Sequence, residues 1–351
     1  MSLFKSVKVK DVRKETDEAV SIAFDVDFKN EYSYQPGQYI TIKAQVNGED
    51  IRRSYSLCSA PFEDDFRVVV KKVQGGRMST YLNQSIKVGG VLEVMTPAGN
   101  FVPKSLNANL VGFAAGSGIT PIFSILKSVL KAGGKFTLYY GNINPASTIY
   151  KKEIDELAAA NPSQFTVVYT FDEGKAANMP DINCGRIDEN KINQFIQQNS
   201  SLLTADGFYI CGPEPMINGV NNSLVNAGVQ KDKINFELFT VPVKKENEKK
   251  VVENSFKGVS QLTVMMDGEE IEFELAADGD FILDASIEHG VDAPFSCKGA
   301  VCCTCKAKVL EGKAIMEMNY SLSDEEVAQG YILTCQAHPA SEKLVVDFDV
   351  T

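Results

Sequence analysis

The chain has 351 residues, 44% of them hydrophobic and 23% charged, and no apolar run approaches the roughly 18 residues that cross a bilayer. A membrane-spanning protein is therefore not expected, and the N-terminal residues lack the pattern of a signal peptide, which predicts a cytoplasmic protein. The net charge of −11 lies in the last part of the chain, because residues 258–351 carry 18 acidic and 5 basic side chains. This acidity disfavours nucleic acid as a partner and suits either docking to a basic protein surface or solubility alone.

Residues 1–104 contain short runs of β-forming residues, and the turns between these runs are rich in Gly, Pro and Asn. This pattern predicts an antiparallel β-barrel or a sandwich. The predicted strands are Val7–Val12, Val20–Val26, Tyr39–Ala44, Phe66–Lys72 and Val91–Met95.

Residues 105–240 alternate between strand and helix patterns, which indicates a doubly wound α/β domain with a parallel sheet. Ligands of such sheets bind at the carboxyl ends of the strands. The predicted elements are strand Leu110–Ala115, helix Pro121–Lys131, strand Phe136–Tyr140, helix Lys151–Ala159, and strands Phe165–Thr170 and Gly207–Cys211.

A charged stretch without sustained periodicity, residues 241–258, predicts an interdomain linker. The remaining residues, 259–351, form a third predicted domain. It begins with a hairpin around the turn dipeptide Asp267-Gly268. A short helix at Asp284–His289 and strands at Cys305–Leu310 and Leu344–Phe348 follow.

Five of the eight cysteines lie in this third domain, and four of them have a diagnostic spacing. Cys297, Cys302 and Cys305 follow the pattern C-x4-C-x2-C, and 29 residues separate Cys305 from Cys335. This is the plant-type pattern for a [2Fe–2S] cluster held by four thiolates. A structural zinc site is the alternative, but zinc modules usually pair two C-x2-C knuckles and only one is present here. Cys303 does not fit the spacing and is interpreted as a small buried residue or a spare thiol.

Two segments of the first domain suit a flavin that carries phosphates. Arg53 offers a bidentate fork to a phosphate, Tyr55 can stack on a ring, and Ser56 can hydrogen-bond a ring nitrogen. About 20 residues later, the Gly75-Gly76 turn opens a helix-like segment whose N-terminus favours an anion. Taken alone, the Arg-x-Tyr-Ser pattern is more typical of a strand edge.

Two segments of the second domain suit a nicotinamide nucleotide. Gly116 and Gly118 follow a buried strand and let the backbone turn close to a pyrophosphate, and Pro121 begins a helix. The spacing differs from the six-residue dinucleotide fingerprint. Cys211 and the residues after it end the last predicted strand, at the same sheet edge, although a buried structural cysteine is the simpler interpretation of Cys211.

Taken together, Arg53–Ser56, Gly116–Pro121 and Cys211–Met216 resemble the ferredoxin–NADP reductase superfamily, and the cysteine loop resembles a plant-type ferredoxin fused behind it. The stretch Cys297–Pro339 is similar, more narrowly, to the reductase subunits of phenylacetyl-CoA epoxygenases. The resemblance covers nearly the whole chain. It implies an FAD-binding β-barrel at 1–104, an NAD(P)-binding α/β domain at 105–240, a linker at 241–258 and a β-grasp ferredoxin domain at 259–351.

The resemblance also implies the cofactors and their residues: FAD, one [2Fe–2S] cluster, and NADPH or NADH. Ser56, Cys211 and Glu237 are the implied catalytic residues. The implied cofactor-binding residues are Arg53, Ser54, Tyr55, Ser56, Gly76, Met78, Ser79, Gly116, Gly118, Thr120, Pro121, Gly212, Pro213 and Phe239. For Phe239, simple core packing is the alternative. The implied cluster ligands are Cys297, Cys302, Cys305 and Cys335.

The sequence departs from the family at two positions that bear on the nucleotide. Ile143 stands where the family usually carries an arginine, and Asp172 replaces a small polar residue. Losing a cation and gaining a carboxylate disfavours a 2′-phosphate and suits a ribose diol. We therefore expect NADH to be accepted at least as well as NADPH.

The implied activity is electron transfer from NAD(P)H to a partner oxygenase, the di-iron phenylacetyl-CoA epoxygenase. A nicotinamide releases two electrons together and a ferredoxin-type cluster accepts one at a time, so a flavin is required between them. The residues alone leave three alternatives open: a reductase for another multicomponent oxygenase, a redox carrier or sensor without turnover, and a reductase that uses flavin only.

Overall fold

The computed structural model of the protein describes residues 3–242 and 254–350. These residues form an antiparallel sheet, a parallel sheet and a mixed sheet in chain order, with a short two-stranded ribbon beside the last. The predicted succession of a β-barrel, an α/β domain and a ferredoxin-type domain is confirmed. The predicted linker, 241–258, includes residues 243–253, which lie outside the described residues.

The first sheet is a six-stranded antiparallel barrel with the strand order β4-β3-β6-β1-β2-β5. A bridge between Leu57 and Val68 joins its two edge strands, so the sheet closes on an apolar core and the sandwich alternative is wrong. The helix α1 packs against this barrel, and its Leu82 is fully buried. The elements are β1 Phe4–Thr16, β2 Ala19–Asp25, β3 Tyr39–Val46, β4 Glu49–Ser56, β5 Arg67–Lys71, α1 Arg77–Gln84 and β6 Val91–Met95.

The second sheet is parallel throughout, with the strand order β11-β10-β7-β8-β9. The chain starts at β7, moves outward to β9 and returns to β10, so the strand order reverses between β7 and β10. Crevices at such reversal points bind ligands in open α/β sheets. The elements are β7 Asn109–Ala115, α2 Ile119–Lys131, β8 Lys135–Asn142, α3 Lys151–Ala160, β9 Phe165–Phe171, α4 Glu189–Gln198, β10 Gly207–Cys211, α5 Glu214–Asn226 and β11 Ile234–Glu237.

The third sheet is mixed, with the order β13-β12-β18-β14-β16, and β12 and β18 pair in parallel. Asp267 and Gly268 both have positive φ, so the predicted hairpin turn has the geometry that matches strand twist. The elements are β12 Val259–Met266, β13 Glu269–Ala276, α6 Ile282–Glu288, β14 Lys306–Glu311, β15 Ala314–Met316, α7 Asp324–Ala328, β16 Tyr331–Leu333, β17 Ala337–Pro339 and β18 Lys343–Asp347.

Apolar clusters of buried side chains hold the three domains and also join them: one cluster of the nucleotide domain includes Ala19, Cys58 and Val69 of the barrel, and another includes Val301 of the third domain. None of the helices in the two described ranges combines the length and the hydrophobicity that crossing a bilayer requires.

Candidate functional site

Strand β4 carries the predicted flavin motif and pairs along its whole length with β3. Arg53 is exposed and lines a cavity described below, and its Nη1 donates to the Arg52 carbonyl at 2.7 Å. Tyr55 is half-buried and packs against the barrel core. Ser54 and Ser56 lie two residues apart and therefore share a face of the strand, from which both hydroxyls reach other domains.

The turn before α1 is stabilised by its backbone conformation and by the hydrogen bonds of one side chain. Gly75 has a φ of 71°, and Gly76 is the N-cap of the helix. The Ser79 hydroxyl accepts from the Val73 amide at 3.1 Å and donates to the Gly76 carbonyl at 3.2 Å, so it holds the turn. The Met78 side chain lies in the barrel core. Any flavin phosphate here would therefore meet backbone amides at the helix N-terminus.

The glycine loop after β7 lies against the end of β10. A side chain at Gly118 would begin 2.0 Å from the Cys211 carbonyl oxygen, and Gly116 has a φ of 54°, so both positions require glycine. Thr120 is buried in the first turn of α2, and its hydroxyl donates to the Ser117 carbonyl at 3.0 Å. The loop therefore sits at the strand reversal point, beside buried Cys211.

The residues after Cys211 continue this edge of the sheet. Gly212 fits between Met216 and Ala115, since a side chain there would begin 2.6 Å from the Met216 methyl carbon. Pro213 is the N-cap of α5, and Pro121 is buried in α2. Two helix N-termini thus face the same crevice and favour the phosphates of a dinucleotide.

Glu237 joins the flavin strand to the nucleotide sheet. It is paired with Cys211 across β11 and β10, and its Oε2 accepts a hydrogen bond from the Ser56 hydroxyl at 3.0 Å. Surrounding protein atoms desolvate the carboxyl and raise the pKa of Glu237 to about 8, although the residue retains some exposure to solvent. Burial likewise raises the pKa of Cys211 well above its usual value, and the Glu237 charge adds to this effect.

A cavity of about 390 Å³ connects this region with the cysteine loop. Ser56, Glu237 and Phe239 line one part of it, and Cys297 and Cys302 line another. Phe239 is 42% exposed, so the core-packing alternative for this side chain is wrong. Four of the predicted flavin residues, Arg53, Ser54, Ser56 and Phe239, and two of the predicted cluster ligands therefore face one common space, whereas Tyr55, Gly76, Met78 and Ser79 do not line it.

The four predicted cluster ligands lie together in the third domain. The Cys297 and Cys302 sulfurs are 3.2 Å apart, and the Cys335 thiol contacts those of Cys297 and Cys305. Each of the four is a free thiol. Within the two described ranges, no three Cys, His, Asp or Glu side chains are placed to hold a single metal ion. A [2Fe–2S] cluster has a different requirement, because it divides four thiolates between two irons.

The backbone of the loop also suits a cluster. Lys298 and Ala300 have φ values of 50° and 61°, and the Gly299 amide donates to the Cys297 sulfur at 3.3 Å. Successive amides that turn inward in this way form an anion-binding nest. Cys303 is buried, and its thiol donates to the Ser321 carbonyl at 3.4 Å, so its side chain points away from the four ligands. The donor set and the loop fit a [2Fe–2S] cluster.

The contacts that dock the third domain on the barrel were missed from the sequence. Four hydroxyls form a network across the contact, which we call the hydroxyl seam: Thr41 bonds Ser54 at 3.1 Å and Thr304 at 3.0 Å, and Ser54 donates to Ser296 at 3.0 Å. Beside it, the buried Tyr39 hydroxyl accepts from the Cys303 amide at 2.7 Å. Thr304 stands between two cluster ligands, so the seam reaches the loop itself.

Arg52 anchors the same contact from the barrel side. It is 6% exposed and donates to Asp292 Oδ1 at 2.7 Å and to the Ala293 carbonyl at 3.1 Å. Its guanidinium also stacks over the rings of Phe4 and Phe295. Its Nε is buried and has no hydrogen-bond partner among the described residues. An arginine directly before the flavin motif gives no signal in the sequence that it contacts another domain.

Lys71 is a second residue that the sequence did not single out. It ends β5 of the barrel, and its Nζ lies 3.8 Å from the point where a side chain at Gly116 would begin. The barrel thus places a cation beside the glycine loop of the nucleotide domain. A pyrophosphate held by that loop would meet this charge.

Known protein families match each of the three domains. Residues 6–102 match the oxidoreductase FAD-binding domain, residues 113–222 the oxidoreductase NAD-binding domain, and residues 264–340 the 2Fe-2S iron-sulfur cluster binding domain. The three matches follow the order of the three sheets. The chain therefore has domains for FAD, for a nicotinamide nucleotide and for a [2Fe–2S] cluster.

Two relatives align with nearly the whole chain. The chain is 37% identical to one subunit of the 1,2-phenylacetyl-CoA epoxidase of Escherichia coli strain K12, over 99% of each chain. It is 33% identical to the 3-ketosteroid-9-alpha-monooxygenase ferredoxin reductase component of Rhodococcus rhodochrous, over 96% of this chain and 95% of that protein. The fold matches phthalate dioxygenase reductase with a TM-score of 0.55 and 22% identity, over 98% of both chains. The chain belongs to the family of oxygenase reductases that combine FAD-binding, NAD-binding and [2Fe–2S] domains in one polypeptide.

Proposed function

We propose that the protein delivers electrons from NADH or NADPH to an oxygenase that acts on phenylacetyl-CoA. The observation that carries the electron-transfer part is the common cavity, which brings Ser56 and Glu237 together with Cys297 and Cys302. The 37% identity to the E. coli epoxidase protein, over 99% of both chains, supports this choice of oxygenase.

The proposal assigns each cofactor to residues described above. When bound, FAD accepts the two electrons of a hydride and the cluster passes electrons on singly. We assign FAD to Arg53, Ser54, Tyr55, Ser56, Gly76, Met78, Ser79 and Phe239. We assign the nucleotide to Gly116, Gly118, Thr120, Pro121, Cys211, Gly212 and Pro213. We assign the cluster to Cys297, Cys302, Cys305 and Cys335.

The chain's own residues position the nicotinamide. The Ser56–Glu237 hydrogen bond holds the end of the flavin strand against the end of β11. Cys211, paired with Glu237, is buried beside this hydrogen bond, and we call Ser56, Cys211 and Glu237 the nicotinamide corner. Glu237 retains its proton up to a pH of about 8, so at neutral pH it can share a hydrogen-bonded proton with Ser56 without placing a full charge there. The corner thus orients a planar ring and limits the access of water to it.

Charge and chemistry support a proposal for the partner and the compartment. The third domain, with its net charge of −13 over residues 258–351, suits a basic docking face on the oxygenase. The cytoplasm supplies NAD(P)H and keeps thiols reduced, and all eight cysteines are free thiols. We therefore propose that the protein acts in the cytoplasm.

A second candidate function is the reduction of a different oxygenase. The 33% identity to the 3-ketosteroid-9-alpha-monooxygenase reductase component favours it, because that relative also aligns along nearly its whole length. The two functions differ in which oxygenase the surface of this protein binds.

The test combines two assays on the full-length holoprotein. Reduction of ferricyanide by NADH or NADPH measures turnover, and its absence would point to a carrier or sensor. Addition of a purified phenylacetyl-CoA oxygenase and phenylacetyl-CoA should then yield epoxide that depends on the reductase. If ferricyanide is reduced but epoxide is formed only at the rate seen without reductase, the oxygenase partner is a different one.

A further inference from the structure

The barrel holds both residues that lie between the second and third cluster ligands. The Cys303 amide donates to the Tyr39 hydroxyl at 2.7 Å, and the Thr304 hydroxyl bonds that of Thr41 at 3.0 Å. Tyr39 and Thr41 are two residues apart on β3, so they share one face of this strand. All four residues are buried, which shields these hydrogen bonds from bulk water. The barrel therefore supplies part of the surroundings of the cluster loop.

Counting protons gives the direction of the hydrogen bonds along the hydroxyl seam. Each hydroxyl has one proton to donate. Ser54 donates to Ser296 at 3.0 Å, so it can only accept in its 3.1 Å bond with Thr41. Thr41 thus donates to Ser54 and can only accept in its bond with Thr304. The Thr304 proton is therefore directed to the barrel.

A second acceptor for the Thr304 proton lies within the loop. The hydroxyl and the amide of Thr304 both interact with the Cys302 sulfur. Because the hydroxyl proton is directed to Thr41, only the amide donates to this sulfur. Adding one electron to a [2Fe–2S] cluster increases the negative charge on its sulfurs, and a donor to a ligand sulfur stabilises that charge. The direction of one hydroxyl proton thus affects how readily the cluster is reduced.

We propose that Thr41 lowers the reduction potential of the cluster by drawing the Thr304 proton away from the Cys302 sulfur. Thr41 belongs to the barrel and acts through Thr304, so it is a positioning residue. The reduction that it influences is the addition of one electron from the flavin, in which no bond is formed or broken. Contact with the barrel thereby makes the reduced cluster a stronger electron donor. The inference rests on the assignment of Cys302 as a cluster ligand under the proposed function and is independent of the oxygenase.

The test is an anaerobic redox titration of the full-length holoprotein with mediator dyes, followed by the EPR signal of the reduced cluster. Thr41→Val keeps the shape of the side chain and removes its hydroxyl, so the Thr304 proton turns to the Cys302 sulfur. At a fixed potential, the ratio of reduced to oxidised cluster should rise about tenfold, which is a shift of about +59 mV. Thr41→Ser keeps the hydroxyl, and its ratio should stay within about twofold of the wild-type value.

A double variant separates this effect from a looser domain contact. Thr304→Val alone should change the ratio by less than about twofold, because the barrel already holds the proton that it removes. Combined with Thr41→Val, it should abolish the gain, since no Thr304 proton is left to turn to the sulfur. A gain that persists in the double variant would overturn the proposal, and so would an unchanged ratio in Thr41→Val.

A variant at the far end of the seam gives an independent measurement. Ser296→Ala removes the last acceptor, so Ser54 can donate to Thr41 and the Thr304 proton is released to the Cys302 sulfur. The ratio should then rise in the same direction, even if Thr41→Val folds poorly. Iron and acid-labile sulfide are measured on each sample. Their absence from the wild-type protein would contradict the proposed function itself, whereas full cluster content with wild-type ratios in both variants would overturn only this inference.

Discussion

The cluster loop and the nicotinamide corner bring reactive groups together in different ways. The four cluster thiols lie within Cys297–Cys335 of one domain, and backbone turns with positive φ shape the loop around three of them. The corner combines Ser56, Cys211 and Glu237 from two domains, and one side-chain hydrogen bond of 3.0 Å links those domains there. A local site can be recognised from residue spacing, whereas a composite site depends on how domains pack.

The difference also predicts which substitutions should disrupt each region. The cluster loop requires its four cysteine ligands. It should tolerate substitution of neighbouring side chains that point away from these ligands. The corner and the domain contact depend on a few hydrogen bonds between elements far apart in the chain, so single polar substitutions should loosen them without unfolding either domain.

The largest effect is expected from removing a cluster thiol. Cys302→Ser should abolish the cluster and reduce electron delivery to the oxygenase by more than about 100-fold, while ferricyanide reduction by the flavin remains. Iron and acid-labile sulfide content, together with both rates, measure the effect. Cys303→Ser is the matched control and should retain iron, because its thiol points to the Ser321 carbonyl. Iron loss in Cys303→Ser alone would invalidate the ligand assignment.

A pH-dependent effect on stability is expected at Glu237. The pKa of Glu237 is about 8 in the folded protein and near 4.5 in the unfolded chain, so between these values only the folded state keeps the proton. The free energy of unfolding of the wild-type protein should therefore fall as the pH rises from about 4.5 to 8. Partial exposure of the carboxyl weakens this effect, so we expect the loss to reach ~3 kcal/mol at most. Ser56 and Cys211 are the polar neighbours of the carboxyl.

Glu237→Gln does not titrate and serves as the comparison for this effect. Unfolding of flavin-free protein at pH 5 and pH 8 should show that the wild-type protein loses stability relative to Glu237→Gln at the higher pH. A constant difference between the two proteins across this range would mean that the carboxyl is not desolvated.

A smaller effect is expected from loosening the contact between the barrel and the third domain. Arg52→Met removes the hydrogen bonds to Asp292 and Ala293 and the contact with Phe295. Reduction of the cluster after mixing with NADH should slow about tenfold, which stopped-flow absorbance can follow. Arg13→Met, at an exposed arginine of the same barrel, is the control. Equal rates in both variants would show that Arg52 does not limit docking.

The smallest effect is expected at Tyr39. Tyr39→Phe leaves the Cys303 amide without its acceptor in a buried position, which costs about 1–2 kcal/mol. Thermal unfolding should reveal the loss, with unchanged iron content because the ligands remain. A variant as stable as the wild-type protein would indicate that the loop finds another acceptor.

How much of the molecule could be predicted depends on the range of the interactions. The cysteine spacing and the Asp267-Gly268 turn are local, and both predicted their structures. Helix α4 was missed because its Asn- and Gln-rich sequence obscures the two large apolar residues that it buries, Ile192 and Phe195. The contacts of Arg52 were not predictable, because Asp292 is 240 residues away and only the docked fold brings it near.

The hydroxyl seam has a consequence for how the domain contact can open. A contact lined by Thr41, Ser54, Ser296 and Thr304 can be hydrated on both sides at little cost, because water replaces each lost hydrogen bond. At the seam itself, each half would therefore expose hydroxyl groups rather than apolar side chains if it were produced alone. The seam can thus open to water more cheaply than the neighbouring contact in which Arg52 packs against Phe4 and Phe295.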